Sequence, residues 1–254
     1  MPDIVSRVRH AFCAFLLLGS LLGGGSAFAE DSYLLALTWQ PAFCATHAAS
    51  AECKLAATSA PRLVLHGLWP DWDVNGDGAR NDADDFCLSG ASSRNAVRML
   101  DQAGNWLKLP AVKLSTATGG DLEAAMPGTV AGLERHEWWK HGTCSGLEAE
   151  DYFTTAIALM REVERGALAQ LIVARAGGNL GRKELLAAFE RDFEPKSGRA
   201  LGLDCDRSSG GSVLKEIRIR LKRATIARGL MADNLAIPQK APRSDCAAEI
   251  HIPD

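Results

Sequence analysis

Six of the seven cysteines limit the folds that are open to this chain, because the seventh, Cys13, lies in the N-terminal apolar segment. The six are Cys44, Cys53, Cys87, Cys144, Cys205 and Cys246. An even number of cysteines in an exported chain favours disulfide bonds, although the number alone does not fix which cysteines pair. None of them has the C-x-x-C spacing of a zinc site or of a thioredoxin-like redox motif. The cysteines therefore predict structural cross-links rather than a metal or redox centre.

The N-terminal segment predicts export. A short positive region at residues 7–10 precedes an apolar run at residues 12–22, and Ala-Phe-Ala at 27–29 has the small-x-small pattern of a signal-peptidase site. The alternative is a membrane anchor or a buried helix, but the run is short for a bilayer and no stop-transfer charges follow it. We therefore expect residues 1–29 to be a signal peptide and residues 30–254 to form the mature protein, in the periplasm or outside the cell.

The charge of the chain is slightly acidic. The full sequence has 28 Lys and Arg against 31 Asp and Glu, a net charge of −3. Removal of Asp3, Arg7 and Arg9 with the leader leaves −4. Proteins that hold nucleic acid tightly are usually basic, so this balance argues against a stable nucleic-acid binder. It leaves room for an enzyme that binds one phosphate locally and releases its product.

Hydrophobic patterns predict strands mixed with separate helices. Short apolar runs at 33–39 and 62–66 are typical of buried strands, the second running into a turn-like Gly67, and 213–221 alternates like a half-exposed strand. Loops are predicted at 71–85 and 116–120. Helices are predicted at 92–107, 133–141, 148–175 with a break at Gly166, and 183–193. We expect one α+β domain, with a central, mostly antiparallel sheet, helices packed against it and disulfide bonds.

Three of the histidines lie in two compact motifs. The first is His-Gly-Leu-Trp-Pro at 66–70, and the second is His-Glu-Trp-Trp-Lys-His-Gly-Thr-Cys at 136–144. A zincin helix needs histidines at i and i+4 with a glutamate between them. Here the second histidine is at i+5, so at about 100° per residue His136 and His141 would lie roughly 140° apart on a regular helix. We therefore predict that they do not share a zinc ion.

The second motif suits a phosphodiester. At i, i+4 spacing, His136 lies over Lys140 and Glu137 lies over His141. Lys140 can neutralise a non-bridging oxygen as charge builds on phosphorus, and Glu137 can hold His141 in one tautomer. His66 would then complete an acid–base pair. The alternative is an ordinary charged helix surface, which the two interleaved tryptophans make less attractive.

Together, the two motifs resemble the signature segments of the ribonuclease T2 family, and a weaker resemblance covers most of the mature chain. It implies a monomeric α+β enzyme that cuts single-stranded RNA and needs no metal for catalysis. It also implies residue roles: His66 and His141 as the acid–base pair, Glu137 and Lys140 in transition-state stabilisation, His136 in phosphate binding, and Trp69 and Asp71 in base binding. The implied disulfides are Cys44–Cys53, Cys87–Cys144 and Cys205–Cys246.

RNA chemistry explains what such a pair of histidines would do. The 2′-hydroxyl is a built-in nucleophile, so the enzyme removes its proton and protonates the leaving 5′-oxygen. A 2′,3′-cyclic phosphate forms first, water opens it later, and DNA is not cut. The resemblance favours His141 as the base and His66 as the acid. Two alternatives stay open: an inactive exported binding protein of the same fold, and a phosphoesterase acting on cyclic nucleotides or other small phosphodiesters.

A possible structural calcium site lies in the Asp-rich loop. Asp73, Asn75, Asp77 and Asp84 fall at positions one, three, five and twelve of an EF-hand-like loop, and Gly78 falls at position six. Position eight carries an arginine where an aliphatic residue usually packs, and the flanks do not clearly form two helices. The alternative is a plain polar turn, since Asp, Asn and Gly are turn formers.

Overall fold

A central sheet organises the part of the chain that the structure describes. In this computed structural model, the described residues are 31–56, 59–72, 84–207, 211–238 and 244–254. The strands within them are β1 (Ser32–Trp39), β2 (Leu63–Asp71), β3 (Gly178–Gly181), β4 (Leu201–Asp206), β5 (Val213–Lys222) and β6 (Glu249–Ile252). They pair in the order β2-β1-β5-β6-β3, with β4 also on β5, and only the β5–β6 pair is parallel. The predicted α+β fold with a mostly antiparallel sheet is confirmed.

Helices account for much of the rest of the described chain. The α-helices are α1 (Gln40–Thr46), α2 (Ala51–Ala56), α3 (Ala91–Gln102), α4 (Thr116–Ala125), α5 (Leu133–Lys140), α6 (Ala149–Arg165), α7 (Ala167–Ala174) and α8 (Arg182–Asp192). The predicted break at Gly166 separates α6 from α7. Among these residues, no helix is long and apolar enough to cross a membrane.

The loop predicted at 116–120 is wrong, because these residues begin helix α4. Two glycines in this segment favoured a loop, but tertiary contacts outweigh their low helix propensity. The Ser115 side chain caps the helix by accepting a hydrogen bond from the Thr118 amide at 3.1 Å. The hydroxyls of Ser115 and Thr118 both donate hydrogen bonds to Oε1 of Glu150 on α6. Leu122, two turns further on, is buried in the core.

The core lies where one face of the sheet meets helix α6. Tyr33, Leu35 and Leu37 of β1 are at most 1% exposed, and so are Tyr152 and Phe153 of α6. Successive side chains of a strand point to opposite faces. The residues of β1 and β5 between these core positions therefore face the other side of the sheet, which is free to carry polar groups.

Three disulfides connect the described segments. Their pairs are Cys44–Cys53, Cys87–Cys144 and Cys205–Cys246, as the resemblance implied. The second bond spans 57 residues and attaches the segment after the Asp-rich loop to the short 3-10 helix that follows α5. It therefore joins two segments that both border the histidine motifs.

Candidate active site

A β-bulge in β2 sets the direction of the His66 side chain. Strand β1 pairs Ala36 with Gly67 and then Leu37 with Leu65, so His66 is an extra residue in β2. A bulge bends the strand and redirects side chains. Residues three apart in a regular strand point to opposite faces, yet the rings of His66 and Trp69 lie 5.0 Å apart. The turn predicted at Gly67 is therefore wrong, because β2 continues through the bulge to Asp71.

Close packing explains the glycine beside the bulge. A Cβ atom at Gly67 would overlap the carboxylate of Glu137 on α5 and approach the Trp69 indole nitrogen. Only a residue without a side chain lets α5 come this close to β2. The first motif thus needs its glycine for the approach of the second motif, and not for a turn.

The end of helix α5 brings His136 and His141 together. The helix stops at Lys140, and the backbone at His141 has φ −111° and ψ −47°. The two imidazole rings lie 6.0 Å apart, and donor atoms of His136, Glu137 and His141 are all within 4.8 Å of one another. The expectation that the two histidines lie far apart around the helix is therefore wrong, since it assumed a helix that stays regular through His141. By spacing alone, the three side chains could hold a metal ion, and the two imidazoles could bind a phosphate.

Glu137 lies at the centre of the cluster. Its side chain is fully buried, and Oε2 accepts a hydrogen bond from the Trp69 indole nitrogen at 2.7 Å. Its other oxygen, Oε1, has no hydrogen-bond partner among the described residues and lies 3.7 Å from Nε2 of His66 and 3.8 Å from Nε2 of His136. The carboxylate thus faces two imidazoles from different motifs, and its charge raises the pKa of His66.

Each histidine of the two motifs has a further carboxylate beside its Nδ1 atom. The pairs are His66 with Glu216 at 2.5 Å, His136 with Asp101 at 2.5 Å, and His141 with Asp85 at 3.5 Å. The carboxylate beside Nδ1 of His141 is therefore Asp85, rather than the Glu137 that we expected. The hydrogen bonds at Nδ1 of His66 and His136 fix those rings and leave Nε2 for chemistry. Nδ1 of His141 has no hydrogen-bond partner among the described residues, so Asp85 is only its charged neighbour.

Sequence reasoning missed these three carboxylates. Glu216 shares a strand face with Arg218 and Arg220 by alternation, but the sequence does not say which strand lies opposite. Asp85 lies two residues before Cys87, so the implied Cys87–Cys144 bond could have placed it near the end of α5. Nothing in the sequence singles out Asp101 on α3.

The pKa values of the His66–Glu216 pair indicate an ion pair. Burial alone would lower the pKa of His66, but the hydrogen bond to Glu216 and the charges of Glu137 and Glu216 outweigh it, so the pKa is raised. Burial would raise the pKa of Glu216, yet its contacts with His66 and Arg218 lower it overall. These contacts therefore favour the protonated form of His66.

The remaining predicted residues border the same cluster. Trp69 packs against His141 with ring centroids 5.5 Å apart, and the Arg218 guanidinium lies 5.4 Å from the Trp69 ring centroid. Asp71, at the end of β2, forms an ion pair with Arg220. Lys140 is half-buried in the last turn of α5, and its carbonyl accepts a hydrogen bond from the Phe86 amide. Six of the seven residues predicted for catalysis and substrate binding thus lie on the adjoining elements β2 and α5, and the seventh, His141, directly follows α5.

Of the four predicted calcium ligands, one is a described residue. Asp73, Asn75 and Asp77 lie outside the described residues. Asp84 is described; it is 1% exposed, and its carbonyl oxygen lies 3.0 Å from Sγ of Cys144. The loop therefore stays a prediction from the sequence.

Comparison with known proteins identifies the family. The model of the Ribonuclease T2 family matches residues 30–229. The chain belongs to this family. Ribonuclease I of Escherichia coli K12 is 29% identical over 223 residues, which cover 84% of this chain and 82% of the relative. Ribonuclease 1 of Arabidopsis thaliana is 25% identical over 94% of this chain and 93% of its own length.

Solved structures agree on the fold. Ribonuclease MC1 from bitter gourd seeds has a TM-score of 0.51 and 21% identity, over 87% of this chain and 99% of that one. The self-incompatibility-associated SF11-RNase of Nicotiana alata has a TM-score of 0.54 and 18% identity, over 89% of this chain and 100% of that one. The protein is thus a T2-type ribonuclease with the T2 fold.

Proposed function

We propose that this T2-family ribonuclease is an endonuclease that cleaves single-stranded RNA by metal-independent transphosphorylation. One observation carries the proposal: His66 and His141, from motifs far apart in sequence, both pack against the Trp69 ring, at centroid distances of 5.0 and 5.5 Å. Two imidazoles at one site can serve as the base and the acid of a single reaction.

The proposed reaction begins at the 2′-hydroxyl. His141 takes its proton, the oxygen attacks phosphorus, and the bond to the 5′-oxygen breaks as His66 donates a proton to that oxygen. The products are a 2′,3′-cyclic phosphate and a free 5′-hydroxyl. Water then opens the ring with the two histidines in reversed roles. The raised pKa of His66 supports its assignment as the acid, because the reaction needs it protonated at the start.

The phosphate needs positive charge around it. We assign Lys140 to a non-bridging oxygen, where negative charge grows in the transition state, and His136 to phosphate binding. Glu137 would keep His66 and His136 oriented from its buried position between them, and its charge would help to keep His66 protonated. An acid–base pair of this kind leaves no step that requires a metal ion, so we expect cleavage in the presence of a chelator.

Base binding is assigned to Trp69 and Asp71. A base could stack on the part of the indole that its protein neighbours leave open. The Asp71 carboxylate is already paired with Arg220, so this pair rather than a free carboxylate would meet the base. The base preference itself is not assigned.

Export is part of the proposal. Three disulfides join the described segments, and such bonds persist in oxidising compartments. The predicted signal peptide lies outside the described residues. We propose that residues 30–254 act as a monomer in the periplasm or outside the cell.

Incubation of purified protein with long RNA and EDTA tests the proposed function. We expect internal cleavage, fragments that end in 2′,3′-cyclic or 3′-phosphates, and no cleavage of DNA of the same sequence. Binding without cleavage would favour the inactive binding protein. Activity on cyclic nucleotides with long RNA left intact would favour the phosphoesterase.

The structural calcium site remains a separate prediction. A ligand that binds only the folded state raises the melting temperature. We expect calcium to raise it for the wild type but not for Asp73→Ala/Asp77→Ala. Equal melting temperatures, with no binding in calorimetry, would leave a polar turn.

A further inference from the structure

The face of β5 opposite the core carries a row of charged residues. Glu216, Arg218 and Arg220 alternate with Ile217 and Ile219, which are fully buried on the core side. Strand β1 separates β5 from β2, so the charged side chains reach across β1 to meet the motif residues of β2. They contact His66, Trp69 and Asp71 respectively.

Ala36 and Thr38 make this reach possible. They lie opposite Arg218 and Glu216 in the β1–β5 register. The small Ala36 side chain leaves Arg218 room to extend over the Trp69 ring. The Thr38 hydroxyl donates a 3.5 Å hydrogen bond to Oε2 of Glu216, the same oxygen that contacts Nδ1 of His66.

The Glu216 carboxylate is held in one position. The residue is 6% exposed, and its second oxygen, Oε1, accepts a 2.6 Å hydrogen bond from Nε of Arg218. Arg218 is in turn held by Asp204 of β4 at 3.1 Å. With both oxygens bonded, the carboxylate cannot turn away from His66 without breaking contacts to β1 and β5.

His66 needs such a partner more than the other histidines of the motifs do. It lies in a bulge, and its side chain is 33% exposed, compared with 14% for His136 and 11% for His141. An exposed ring on an unpaired strand residue has more freedom to rotate. The short contact at Nδ1 restrains the ring and directs Nε2 toward Glu137 and the motif of α5.

We propose that Glu216 is a positioning residue for the leaving-group step, holding His66 by Nδ1 so that Nε2–H is the proton delivered to the 5′-oxygen. This inference rests on the proposed function. Before the transfer, His66 is doubly protonated and donates Nδ1–H to Glu216. After it, the ring is neutral, the proton on Nδ1 is retained, and Nε2 can accept a proton from the water that opens the cyclic phosphate. Glu216 itself gains and loses no proton.

The charged surroundings of His66 come from several elements. Glu137 faces it from α5, and Glu216 and Arg218 face it from β5. The cavity beside it is further bordered by His47, Asp204, Asp206 and Lys215. Among the described residues, Glu216 is the group that is hydrogen-bonded to Nδ1, and this bond raises the pKa of His66 more than any other contact does.

The first experiment replaces Glu216 with glutamine, which keeps the shape and removes the charge. We expect Glu216→Gln to lower kcat for a dinucleoside monophosphate by about ten- to a hundredfold, the usual loss when a carboxylate that orients a functional histidine is removed. Asp121→Asn is the matched control, because it also removes a carboxylate from an arginine ion pair, the one with Arg161, but lies on the surface and outside the group of residues around His66. It should stay within about twofold of the wild type, since surface changes away from the site usually have small effects.

Two further measurements separate positioning from a general structural role. With a uridine 3′-(4-nitrophenyl phosphate) substrate, the leaving group needs no proton, so Glu216→Gln should cut it at close to the wild-type rate. Loss of the negative charge also lowers the pKa of His66, so the alkaline limb of the kcat/KM profile should move to lower pH. Glu216→Asp keeps the charge and should keep that limb nearer to its wild-type position.

The outcomes can be told apart. If the wild type does not cleave RNA, or if His66→Ala is as active as the wild type, the proposed function fails. If the wild type is active and His66→Ala is impaired, wild-type kcat in Glu216→Gln overturns the Glu216 proposal alone. An equal loss on the nitrophenyl substrate also overturns it. If Glu216→Gln does not fold, NMR titration of His66 in Glu216→Asp and the wild type decides: a pKa near that of free histidine in the wild type contradicts the proposal.

Discussion

The α5 side and the β2 side of the active site are built in different ways. On the α5 side, His136, Glu137, Lys140 and His141 come from a single turn and a half of chain, so their proximity is a property of the local sequence. On the β2 side, His66 depends on a bulge and on Glu216, which is 150 residues away. The relative positions of side chains in the helix motif therefore follow from the local chain, whereas those in the strand motif depend on pairing and contacts with other strands of the sheet.

Substitution of the two histidines that we propose as acid and base should show this difference most strongly. We expect His141→Ala and His66→Ala each to lower turnover of RNA by about two to four orders of magnitude, the usual contribution of a general acid or base. On the nitrophenyl substrate, His66→Ala should recover most of its activity, whereas His141→Ala should not. Steady-state kinetics on both substrates measures this. Recovery by His141→Ala instead would reverse the roles of acid and base.

Substitution of Lys140 tests whether the α5 side also stabilises the negative charge on the phosphate. We expect Lys140→Ala to reduce kcat by about two to three orders of magnitude, the range for loss of one transition-state donor. The loss should be the same for both substrates, because charge on the non-bridging oxygens does not depend on the leaving group. Lys113→Ala, a lysine outside both motifs, is the control. A loss confined to KM would assign Lys140 to ground-state binding.

The motif residues could be predicted from the sequence, while their partners could not. The spacing of the second motif indicated a phosphodiester site, and alternation indicated that β5 has one polar face. The bulge at His66 could not be predicted, because it is a shift in pairing between two strands and leaves no periodic signal in either. Helix α4 was missed for a related reason: its glycines disfavour a helix, and the contacts from Glu150 that support it are long-range.

The Cys87–Cys144 bond tests the dependence of the α5 side on covalent support. The bond holds the segment of Asp85 against the end of α5, where the Phe86 amide donates to the Lys140 carbonyl at 2.9 Å. Cys87→Ala/Cys144→Ala should lower the free energy of unfolding by about 2–5 kcal/mol, as for other native disulfides. Urea denaturation measures the loss. The Cys44–Cys53 bond closes a loop of only 9 residues. Its removal in Cys44→Ala/Cys53→Ala should lower the free energy of unfolding by less, because a shorter loop restricts the unfolded chain less.

Substitution of Asp101 should have the smallest effect on activity, and it gives the closest comparison with Glu216. Both carboxylates contact Nδ1 of a histidine at 2.5 Å, but His136 is also stacked on Trp106 with ring centroids 4.5 Å apart. The stacking should keep His136 in place when the carboxylate is lost. Because His136 is assigned to phosphate binding, we expect Asp101→Asn to raise KM by about tenfold, the lower end for loss of an orienting partner, with little change in kcat. A second substitution, Trp106→Ala, removes the stacking. The free-energy loss of the double variant, taken from the rise in its KM, should therefore exceed the sum of the losses of the two single variants. Strict additivity in this double-mutant cycle would mean that the carboxylate and the indole do not share the task of orienting His136.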